Sequence, residues 1–523
     1  MGFSKCYSAQ AVGLNAHIVC VEVDITKGNP SFSVVGLPDK SVDESKDRIS
    51  AAIKNSGYKS PKSKRQRIII SLTPANIKKE GTLFDLAMAL GYLLAGGEIK
   101  FDVKGKLFLG ELGLNGELRA IRGALPLVQK AKEKGYTEVF LPIDNADEAS
   151  IIEGITIYGC KKLSEVIEHL NMLGAEEDRA LHIPLSPHLP KIFEKKKLAH
   201  EYGFEDVRGQ ETAKRGLEIA AAGRHNVLMF GPPGTGKTML ARAFSQLLPE
   251  LSFDESLEIT GIHSISGNLK EPLVTTAPFR APHHTSSYVS LIGGGTFPKP
   301  GEVTLAHRGV LFLDEFPEFE KRVLESLREP LEEKFVSISR AKGTEVFPAN
   351  FILVAAMNPC PCGFKGTRST GGGQAKKECV CSAGDIYKYE RKLSGPIMDR
   401  IDIFLPVAEI DYKKLSDKVP EGMETSKDIR DRVLKARETQ TKRFEGKKIS
   451  TNSEMSAKDL EKFAPLGEKE KNLLNSAATR MGLSPRAYHR IIKLARTIAD
   501  LAGSENIQDK HLAEALGYRE KKN

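Results

Sequence analysis

The sequence predicts an α/β protein built from more than one domain. Its 523 residues exceed what a single hydrophobic core usually organises. Short β-rich runs alternate with helical patterns in residues 1–165 and again in residues 201–410, which is typical of layered α/β domains. From residue 411 onwards the pattern is mostly helical and rich in Lys, Glu and Leu. We therefore expect two α/β domains followed by a helical one.

Four segments divide the chain. The N-terminal domain alternates β-rich runs with helical patterns, and the polar, proline-bearing stretch after it predicts a linker. The β-rich runs are residues 17–23, 31–35 and 67–72, and the helical patterns are residues 42–56 and 83–95. The predicted boundaries are 1–168 for the N-terminal domain, 169–200 for the linker, 201–410 for the middle domain and 411–523 for the C-terminal helical domain.

The composition excludes several classes of protein. With 40% hydrophobic and 28% charged residues, the chain is typical of an ordinary globular protein rather than a disordered one. No apolar run approaches the roughly 18 residues that span a bilayer, and the N-terminus lacks the apolar core of a signal peptide. We therefore expect a cytoplasmic protein without a membrane partner. The net charge of +9 is compatible with a nucleic-acid partner but does not require one.

A glycine-rich loop opens the middle domain. Residues 226–230 predict a strand and residues 239–248 a helix, and the loop between them, GPPGTGKT, fits the GxxxxGK[ST] pattern in its required context. Its glycines let backbone N–H groups surround phosphates, while a lysine reaches the β and γ oxygens and a threonine hydroxyl contacts Mg²⁺. The sequence therefore predicts binding of ATP and Mg²⁺. The loop residues are Gly231, Pro232, Pro233, Gly234, Thr235, Gly236, Lys237 and Thr238.

Two further apolar strands end in polar residues suited to hydrolysis. The run at residues 310–313 is followed by Asp314 and Glu315. Because strand ends in open α/β sheets meet the ligand crevice, Asp314 is expected to hold Mg²⁺ and Glu315 to polarise the attacking water. The run at residues 351–357 ends at Asn358, which is expected to orient that water or to contact the γ-phosphate. A turn-forming Asn before Pro359 is the alternative.

Six further motifs are distributed along the chain: GLPD at 36–39, FRAPHHTSS at 279–287, GGG at 293–295, PGE at 300–302, LAHRGVLFLDEFPE at 305–318 and LSPRAYHR at 483–490. Together with the glycine-rich loop and the strand-end residues, they resemble the AAA+ superfamily and, within it, the magnesium-chelatase-like YifB/ComM family, over essentially the entire chain. The resemblance implies a P-loop AAA+ core with a helical lid, ATPase activity and assembly into a homo-oligomeric ring, with a hexamer as the expected form.

The same resemblance assigns roles to two arginines. Arg400, in SGPIMDRID, matches the arginine finger that reaches the γ-phosphate of a neighbouring subunit, so hydrolysis would need an oligomer. Arg391 and Lys392 are nearby alternatives for that role. Arg486, early in a predicted lid helix, matches the second sensor arginine, which contacts the nucleotide from the same chain.

The N-terminal domain resembles the Lon protease domain, an α+β fold of the ribosomal S5 domain 2-like type, through residues 75–85 and 110–123. Where that family has its catalytic serine and lysine, this chain has Leu83 and Leu125, and leucine can neither attack a carbonyl nor accept a proton. We therefore expect a docking or guiding domain without peptidase activity. A basic cluster there is either a DNA contact or a solvated face. Its residues include Lys62, Lys64 and Arg65.

Four of the seven cysteines are clustered in two pairs, within an expected insertion at residues 360–381. Four thiolates are the number that a closed, structural zinc site takes, and reduced free thiols are the alternative. A bound Zn²⁺ would order the Gly-rich, cationic loop between the pairs. The residues are Cys360, Cys362, Cys379 and Cys381.

A hairpin with a cationic tip is predicted between residues 335 and 347. Its tip carries Arg340 and Lys342, which are candidates for gripping a nucleic-acid backbone in the pore of a ring, or else belong to an ordinary solvated turn. His283 and His284 are neighbours on an extended segment, where side chains point in opposite directions, so we expect a structural or loop role rather than a metal site.

Three functions compete on this evidence. The leading one is a DNA translocase or branch-migration helicase that serves recombination of incoming DNA in natural transformation, as the resemblance to the ComM branch implies. The second is a magnesium-chelatase-type ATPase that assists metal insertion, and the third is a protein-remodelling ATPase. Stimulation of ATP hydrolysis by DNA, by porphyrin or by unfolded protein would separate the three.

Overall fold

The computed structural model describes residues 2–63, 65–172, 185–189, 202–295, 298–340, 343–365, 378–409 and 424–519. The chain divides into two compact units, Met1–Lys196 with Ser256–Val274 and Lys197–Glu255 with Thr275–Asn523. The packing thus assigns segment 256–274 to the first unit, whereas the boundaries predicted above place it in the middle domain. Within the described ranges, no helix has both the length and the apolar character needed to cross a bilayer.

The first unit is built on a four-stranded mixed sheet. β1 (Gly2–Val12) pairs antiparallel with β2 (Asn15–Lys27) along its whole length. β2 alternates buried valines with more exposed residues, so one face of the sheet packs on the core. β4 (Gln66–Thr73) pairs antiparallel with β2 and parallel with β3 (Ser31–Val35), which gives the order β1-β2-β4-β3.

Helices and a smaller parallel sheet complete the first unit. α1 (Lys40–Asn55) begins at Asp39, whose carboxylate accepts a hydrogen bond from the Val42 N–H, and α2 (Asp85–Ala95) is buried almost all round. The β-rich runs and helical patterns expected from the sequence coincide with β2 to β4, α1 and α2. The remaining elements are β5 (Lys106–Phe108), β6 (Glu111–Leu112), β7 (Leu118–Arg119), α3 (Ala124–Glu133), β8 (Glu138–Pro142), α4 (Ile143–Ala149), β9 (Thr156–Cys160) and α5 (Leu163–Met172), with β5, β8 and β9 forming the second sheet.

The second unit begins with alternating helices and strands, as expected for its motifs. Its helices are α6 (Glu211–Gly223), α7 (Lys237–Ser245), α9 (Tyr288–Ile292), α10 (Glu302–Leu305), α11 (Lys321–Ser326), α12 (Arg328–Glu333), α13 (Ala383–Glu390) and α14 (Gly395–Met398), whereas α8 (Phe253–Ser266) begins in this unit and lies mostly in the segment that belongs to the first. The strands are β10 (Val227–Phe230), β11 (Phe279–Arg280), β12 (Gly293–Gly294), β13 (Lys299–Pro300), β14 (Val310–Leu313), β15 (Phe335–Arg340), β16 (Gly343–Pro348), β17 (Ile352–Met357) and β18 (Ile403–Pro406).

Five of these strands form a parallel sheet in the order β11-β14-β17-β10-β18. The strands β14, β17 and β10 lie at its centre and consist mostly of buried apolar residues, as expected for a parallel sheet covered on both faces. Because they are parallel, their carboxyl ends meet at one edge, where the P-loop, Asp314 and Asn358 follow. The residues that precede β10 and β18, namely Asn226 and Asp402, lie at the opposite edge.

Helix α8 carries the chain into the first unit. Ser264, near its end, hydrogen-bonds to the buried carboxylate of Glu148. Leu257 and Leu273 pack against the apolar cluster that contains Leu125. These contacts explain why the segment belongs to the first unit by packing, although its neighbours in sequence belong to the second.

The C-terminal residues form the expected helical bundle within the second unit. One long amphipathic helix, α18 (Pro485–Leu501), begins at Ser484, whose hydroxyl accepts from the Ala487 N–H, and buries Ile491, Leu494 and Ile498. The other helices are α15 (Ser426–Arg443), α16 (Ala457–Phe463), α17 (Glu468–Met481) and α19 (Asp509–Gly517).

Candidate nucleotide-binding site

The P-loop turns sharply between β10 and α7. Gly234 and Gly236 have φ angles of 77° and 86°, in the left-handed region that a side chain disfavours. α7 then begins at Lys237, so the N–H groups of its first turn face the loop, an arrangement that favours phosphate. Thr235 ties the turn together, because its hydroxyl donates to the Pro232 carbonyl over 2.9 Å.

Lys237 joins the P-loop to the neighbouring strand. Its Nζ donates to the carbonyl oxygens of Gly231 and Pro232, each 2.7 Å away, and lies 3.2 Å from Oδ1 of Asn358. Burial lowers the pKa of Lys237, and the charge of Asp314 opposes that shift. The structure therefore brings Asn358 to the same point as the P-loop lysine.

Thr238 and Asp314 provide the oxygens expected of a magnesium site. The Thr238 hydroxyl donates to Oδ2 of Asp314 over 2.8 Å, and Oδ1 of Asp314 accepts the Glu315 N–H over 2.9 Å. Hydroxyl and carboxylate oxygens at the end of a phosphate-binding loop fit the preference of Mg²⁺ for hard oxygen ligands. These two residues could therefore hold Mg²⁺, which would neutralise phosphate charge.

Glu315 lies beside a histidine that the sequence interpretation assigned to a structural or loop role. Oε2 of Glu315 is 2.9 Å from Nδ1 of His284, and both side chains are partly exposed. Glu315 also has a φ of 50°, an uncommon conformation for a residue with a side chain, and such conformations concentrate at functional sites. The neighbouring histidine, His283, contacts the Thr285 hydroxyl, and its ring centroid is 4.2 Å from that of His284, so the two side chains do not point in opposite directions as expected. The pairing of His284 with Glu315 has no local signal in the sequence.

Arg400 lies away from the P-loop of its own chain. It is 5% exposed, it is paired with Glu332, and its Nη1 donates to the Pro396 carbonyl over 2.6 Å. Its carbonyl accepts from Nδ2 of Asn226 at the start of β10, whereas the P-loop follows the end of β10. At about 3.3 Å per strand residue, these two edges are separated by roughly 16 Å. The two alternative cations, Arg391 and Lys392, are exposed.

The environment of Arg400 contains an unpaired donor. Among the described residues, none accepts a hydrogen bond from its buried Nε. Buried polar groups in folded proteins are nearly always paired, so an unpaired donor points to a further acceptor.

Arg486, for which the resemblance implies a contact with the nucleotide of the same chain, lies beside a carboxylate. Its Nη2 lies 3.1 Å from Oε1 of Glu332, the carboxylate that also pairs with Arg400. The Arg486 side chain is 62% exposed. The fold therefore places Arg486 and Arg400 together at the edge of the sheet opposite the P-loop, because Arg490 of α18 bonds to Arg400 and Asp402, which precede β18.

A buried ion-pair network fixes that edge. Asp402 accepts from the Asn226 N–H over 3.0 Å, is ion-paired with Arg490 and lies 3.4 Å from Nδ1 of His225. Burial alone would raise the pKa of Asp402, but Arg490, His225 and the Asn226 N–H together hold it below its ordinary value. The network holds the segment that carries Arg400 against β10.

The four clustered cysteines converge. Their sulfur atoms all lie within 4.8 Å of one another, which is the spacing of a metal site. The donor set fits Zn²⁺, which four thiolates coordinate in closed structural sites. The four residues are Cys360, Cys362, Cys379 and Cys381.

The candidate nucleic-acid contacts are only partly described. β15 and β16 form the expected hairpin, with Arg340 paired to Gly343 at its tip. The side chain of Arg340 and all of Lys342 and Lys64 lie outside the described residues. Arg65 is exposed, and the exposed Lys62 forms a 2.5 Å ion pair with Asp47. Both of these described cations are thus accessible from solvent.

Leu83 and Leu125 both pack into the apolar interior of the first unit. Leu125 belongs to a buried cluster with 1% exposure, and Leu83 packs against the same cluster. Both positions therefore serve the core, and neither offers a polar atom for catalysis.

Comparisons with known proteins agree with this geometry. Three segments match family descriptions: residues 203–415 match "Magnesium chelatase, subunit ChlI", residues 21–145 match "Subunit ChlI of Mg-chelatase", and residues 423–519 match "Magnesium chelatase, subunit ChlI C-terminal". The chain is also 28% identical over 184 residues to Lon protease 2 of Bacillus subtilis, covering 30% of this chain and 33% of that protein.

Two relatives match along their whole length. Competence protein ComM of Haemophilus influenzae is 42% identical over 526 residues, covering 99% of this chain and 98% of that protein. Uncharacterized protein YifB of Escherichia coli is 40% identical over 524 residues, covering 99% and 97%. The chain therefore belongs to the YifB/ComM family of magnesium-chelatase-like AAA+ proteins.

Proposed function

We propose that this protein is an ATP-hydrolysing motor whose active sites form between neighbouring copies of the chain in a ring, with six copies as the expected number. The observation that carries the proposal is that the residues expected to act together in ATP hydrolysis lie at two opposite edges of the sheet. Lys237, Asp314, Glu315 and Asn358 converge at one edge of the sheet, whereas Arg400 lies at the opposite edge. Head-to-tail packing of identical copies brings such opposite edges together and closes into a ring.

Within each site, the chain's own residues divide the work. The P-loop amides and Lys237 bind and orient the triphosphate, and Thr238 with Asp314 would hold Mg²⁺, which supplies charge neutralisation at the phosphates. Glu315 accepts a proton from the attacking water, and His284 fixes the direction of its carboxylate. Arg400 of the adjacent copy exchanges Glu332 for the γ-phosphate and stabilises the charge that develops there. The position of Arg486 beside Arg400 supports a contact with the same neighbouring nucleotide.

We infer that the substrate is DNA and that the role is translocation or branch migration during recombination of incoming DNA in natural transformation. The support is the full-length likeness to a relative named as a competence protein, together with the net charge of +9 and the hairpin whose tip holds Arg340 and Lys342. The motor would act in the cytoplasm, where ATP and the incoming DNA are both present.

We also infer that the N-terminal unit is a Lon-protease-like α+β domain without peptidase chemistry. Its support is the likeness to Lon protease 2 and the aliphatic side chains at Leu83 and Leu125. Such a domain would guide the substrate, with Lys62, Lys64 and Arg65 as candidate contacts to a phosphate backbone.

The test of substrate class is the rate of ATP hydrolysis in the presence of single-stranded, forked or duplex DNA at fixed ionic strength. DNA is expected to accelerate hydrolysis, and Arg340→Ala/Lys342→Ala to reduce that acceleration. Removing a cation that neutralises one phosphate should also make the slope of log affinity against log salt shallower by about 0.9. The matched control is Lys458→Ala, an exposed cation on α16 that should retain the full acceleration. Acceleration by porphyrin or unfolded protein, with none by DNA, would favour the chelatase-type or protein-remodelling function instead.

A further inference from the structure

Four cysteine sulfurs lie at the spacing of a metal tetrahedron. Sγ of Cys360 is 3.4 Å from that of Cys362 and 3.7 Å from that of Cys379, and the latter two are 3.6 Å apart. With zinc–sulfur bonds of about 2.3 Å, neighbouring sulfurs of a tetrahedral site are about 3.8 Å apart. A disulfide would hold two of them about 2.05 Å apart. The arrangement thus matches coordination of one ion rather than covalent pairing.

Backbone donors support the charged form of these sulfurs. The Cys362 N–H donates to Sγ of Cys381 over 3.4 Å, and the Lys365 N–H donates to Sγ of Cys360 over 3.3 Å. Hydrogen bonds of this kind stabilise thiolates and orient them as metal ligands. Gly363 permits the turn that aims these groups, because its φ is 86° and its N–H donates to the Cys360 carbonyl over 2.9 Å.

The first cysteine pair, Cys360 and Cys362, lies next to a turn that packs against the nucleotide site. A Cβ at Gly363 would lie 2.7 Å from Cδ of Pro233, so the cysteine turn packs directly against the P-loop. Only Pro359 separates Cys360 from Asn358, whose side chain meets Lys237. A displacement of the cysteine turn would therefore move both a P-loop residue and Asn358.

The second cysteine pair, Cys379 and Cys381, is linked to Asn358 through α13. Cys379 and Cys381 immediately precede Ser382, which caps α13. Tyr389, near the end of that helix, is 5% exposed, and its hydroxyl is hydrogen-bonded to the Asn358 backbone. α13 thus connects the second cysteine pair to Asn358, the residue that follows β17 and lies just before the first cysteine pair.

Among the described residues, few other contacts join the segment of Cys360 and Cys362 to the segment of Cys379 and Cys381. Lys365 and Glu390 form a 3.0 Å ion pair, but both side chains are about half exposed, and such pairs contribute little. A metal that closes the chain between Cys362 and Cys379 restricts that segment without needing a core.

We propose that Cys360, Cys362, Cys379 and Cys381 bind one Zn²⁺ in a closed site, and that this zinc positions Asn358 and Pro233 for ATP hydrolysis. The second half of this proposal rests on the proposed ATPase function. Four protein ligands leave no open position on the ion, so the zinc takes no part in the chemistry. The cysteines are positioning residues that act through the two segments they hold.

The first experiment measures metal content. The full chain is purified without added metal, and zinc per chain is determined by mass spectrometry for the wild type, Cys379→Ser/Cys381→Ser and Cys20→Ser. We expect about one zinc per chain in the wild type and in Cys20→Ser, which removes a partly exposed thiol far along the sequence from the cluster. The double variant should contain almost none. Wild-type protein that stays free of zinc after dialysis against zinc and removal of the excess overturns the site.

The second experiment tests the link to hydrolysis. A zinc-selective chelator that leaves Mg²⁺ in solution is applied to the wild type, and binding of a fluorescent ATP analogue is measured beside ATP turnover, before and after zinc is restored. We expect kcat to fall about 10- to 100-fold while the analogue's Kd changes much less, because Asn358 acts at the reacting phosphate. Restored zinc should recover the rate.

The outcomes separate this inference from the proposed function. Zinc removal that leaves kcat unchanged overturns the positioning role, whatever the metal content. A wild type that holds zinc but neither binds the analogue nor hydrolyses ATP contradicts the ATPase proposal and leaves the metal site standing. The chelated wild type also provides the answer if the double variant proves unfolded by circular dichroism.

Discussion

Arg400→Ala provides the sharpest test of a shared active site. The side chain lies across the sheet from its own P-loop, with Asn226 and Gly231 separated by roughly 16 Å along β10, which is farther than one arginine side chain spans. Its removal should leave nucleotide binding intact but lower turnover about a thousandfold or more, the usual effect of an arginine finger. That loss corresponds to about 4 kcal/mol of transition-state stabilisation. Glu332 keeps Arg486 as a partner, so the change leaves no isolated carboxylate.

Mixing two inactive variants distinguishes a trans role from a structural one. Lys237→Ala chains lack a working P-loop but retain Arg400, whereas Arg400→Ala chains have the reverse defect. In rings assembled at random from equal amounts, half the sites have an intact P-loop and half of those meet an intact arginine. About a quarter of the wild-type rate should therefore return. The assay is steady-state ATP hydrolysis with a check by light scattering that the variants co-assemble.

Two results would refute this reasoning. One is a co-assembled mixture that remains as inactive as its parents. The other is a monomeric wild-type preparation that hydrolyses ATP at the full rate. Arg391→Ala tests the alternative finger, because it removes an exposed arginine that stacks on Tyr387 in the same segment; it should retain the wild-type rate if Arg400 is the finger.

Four further substitutions test the site and its support. Lys237→Ala should abolish binding of a fluorescent ATP analogue, and retained turnover would reject the P-loop assignment. Glu315→Gln should bind the analogue normally but lose at least about 100-fold in kcat. His284→Gln should lower kcat about tenfold at unchanged KM. An unaltered kcat in the second variant would show that the His284 contact is incidental. Asp402→Asn should lower the melting temperature at pH 7, since it leaves the partly buried Arg490 without its carboxylate. The pKa of Asp402 is held below its ordinary value of 3.8, so its stabilising contribution is complete above about pH 4 and declines as the pH falls from there towards the lowered pKa. The difference between the melting temperatures of the two proteins should narrow over that range.

Much of the nucleotide site was predictable because its signals are local. The loop from Gly231 to Thr238 has a fixed spacing, since backbone amides and one lysine must surround a phosphate, and its flanking strand and helix were confirmed. Asp314 and Asn358 follow buried apolar runs, and parallel strands bring such positions to one edge. The two cysteine pairs were recognised as a group for the same reason, because their ligand types and spacing lie within one short stretch.

Other features depend on residues that are far apart in the chain. The pairing of His284 with Glu315 and the contact of Gly363 with Pro233 arise where separate loops meet. No periodicity or motif in either partner specifies the other. The interpretation of His284 therefore stopped at a structural or loop role, and the contact of Gly363 with Pro233 was not predicted.

The sequence by itself determined which residues are available to the site: a phosphate loop, two acids, an asparagine, and four thiols that can hold a metal. Only the tertiary structure decided that Arg486 lies with Arg400 on Glu332, at the edge opposite the P-loop, and that segment 256–274 packs with the first unit. The physical reason is that hydrophobic periodicity and turn chemistry report local conformation and burial. Which buried faces meet is decided by the packing of the whole chain.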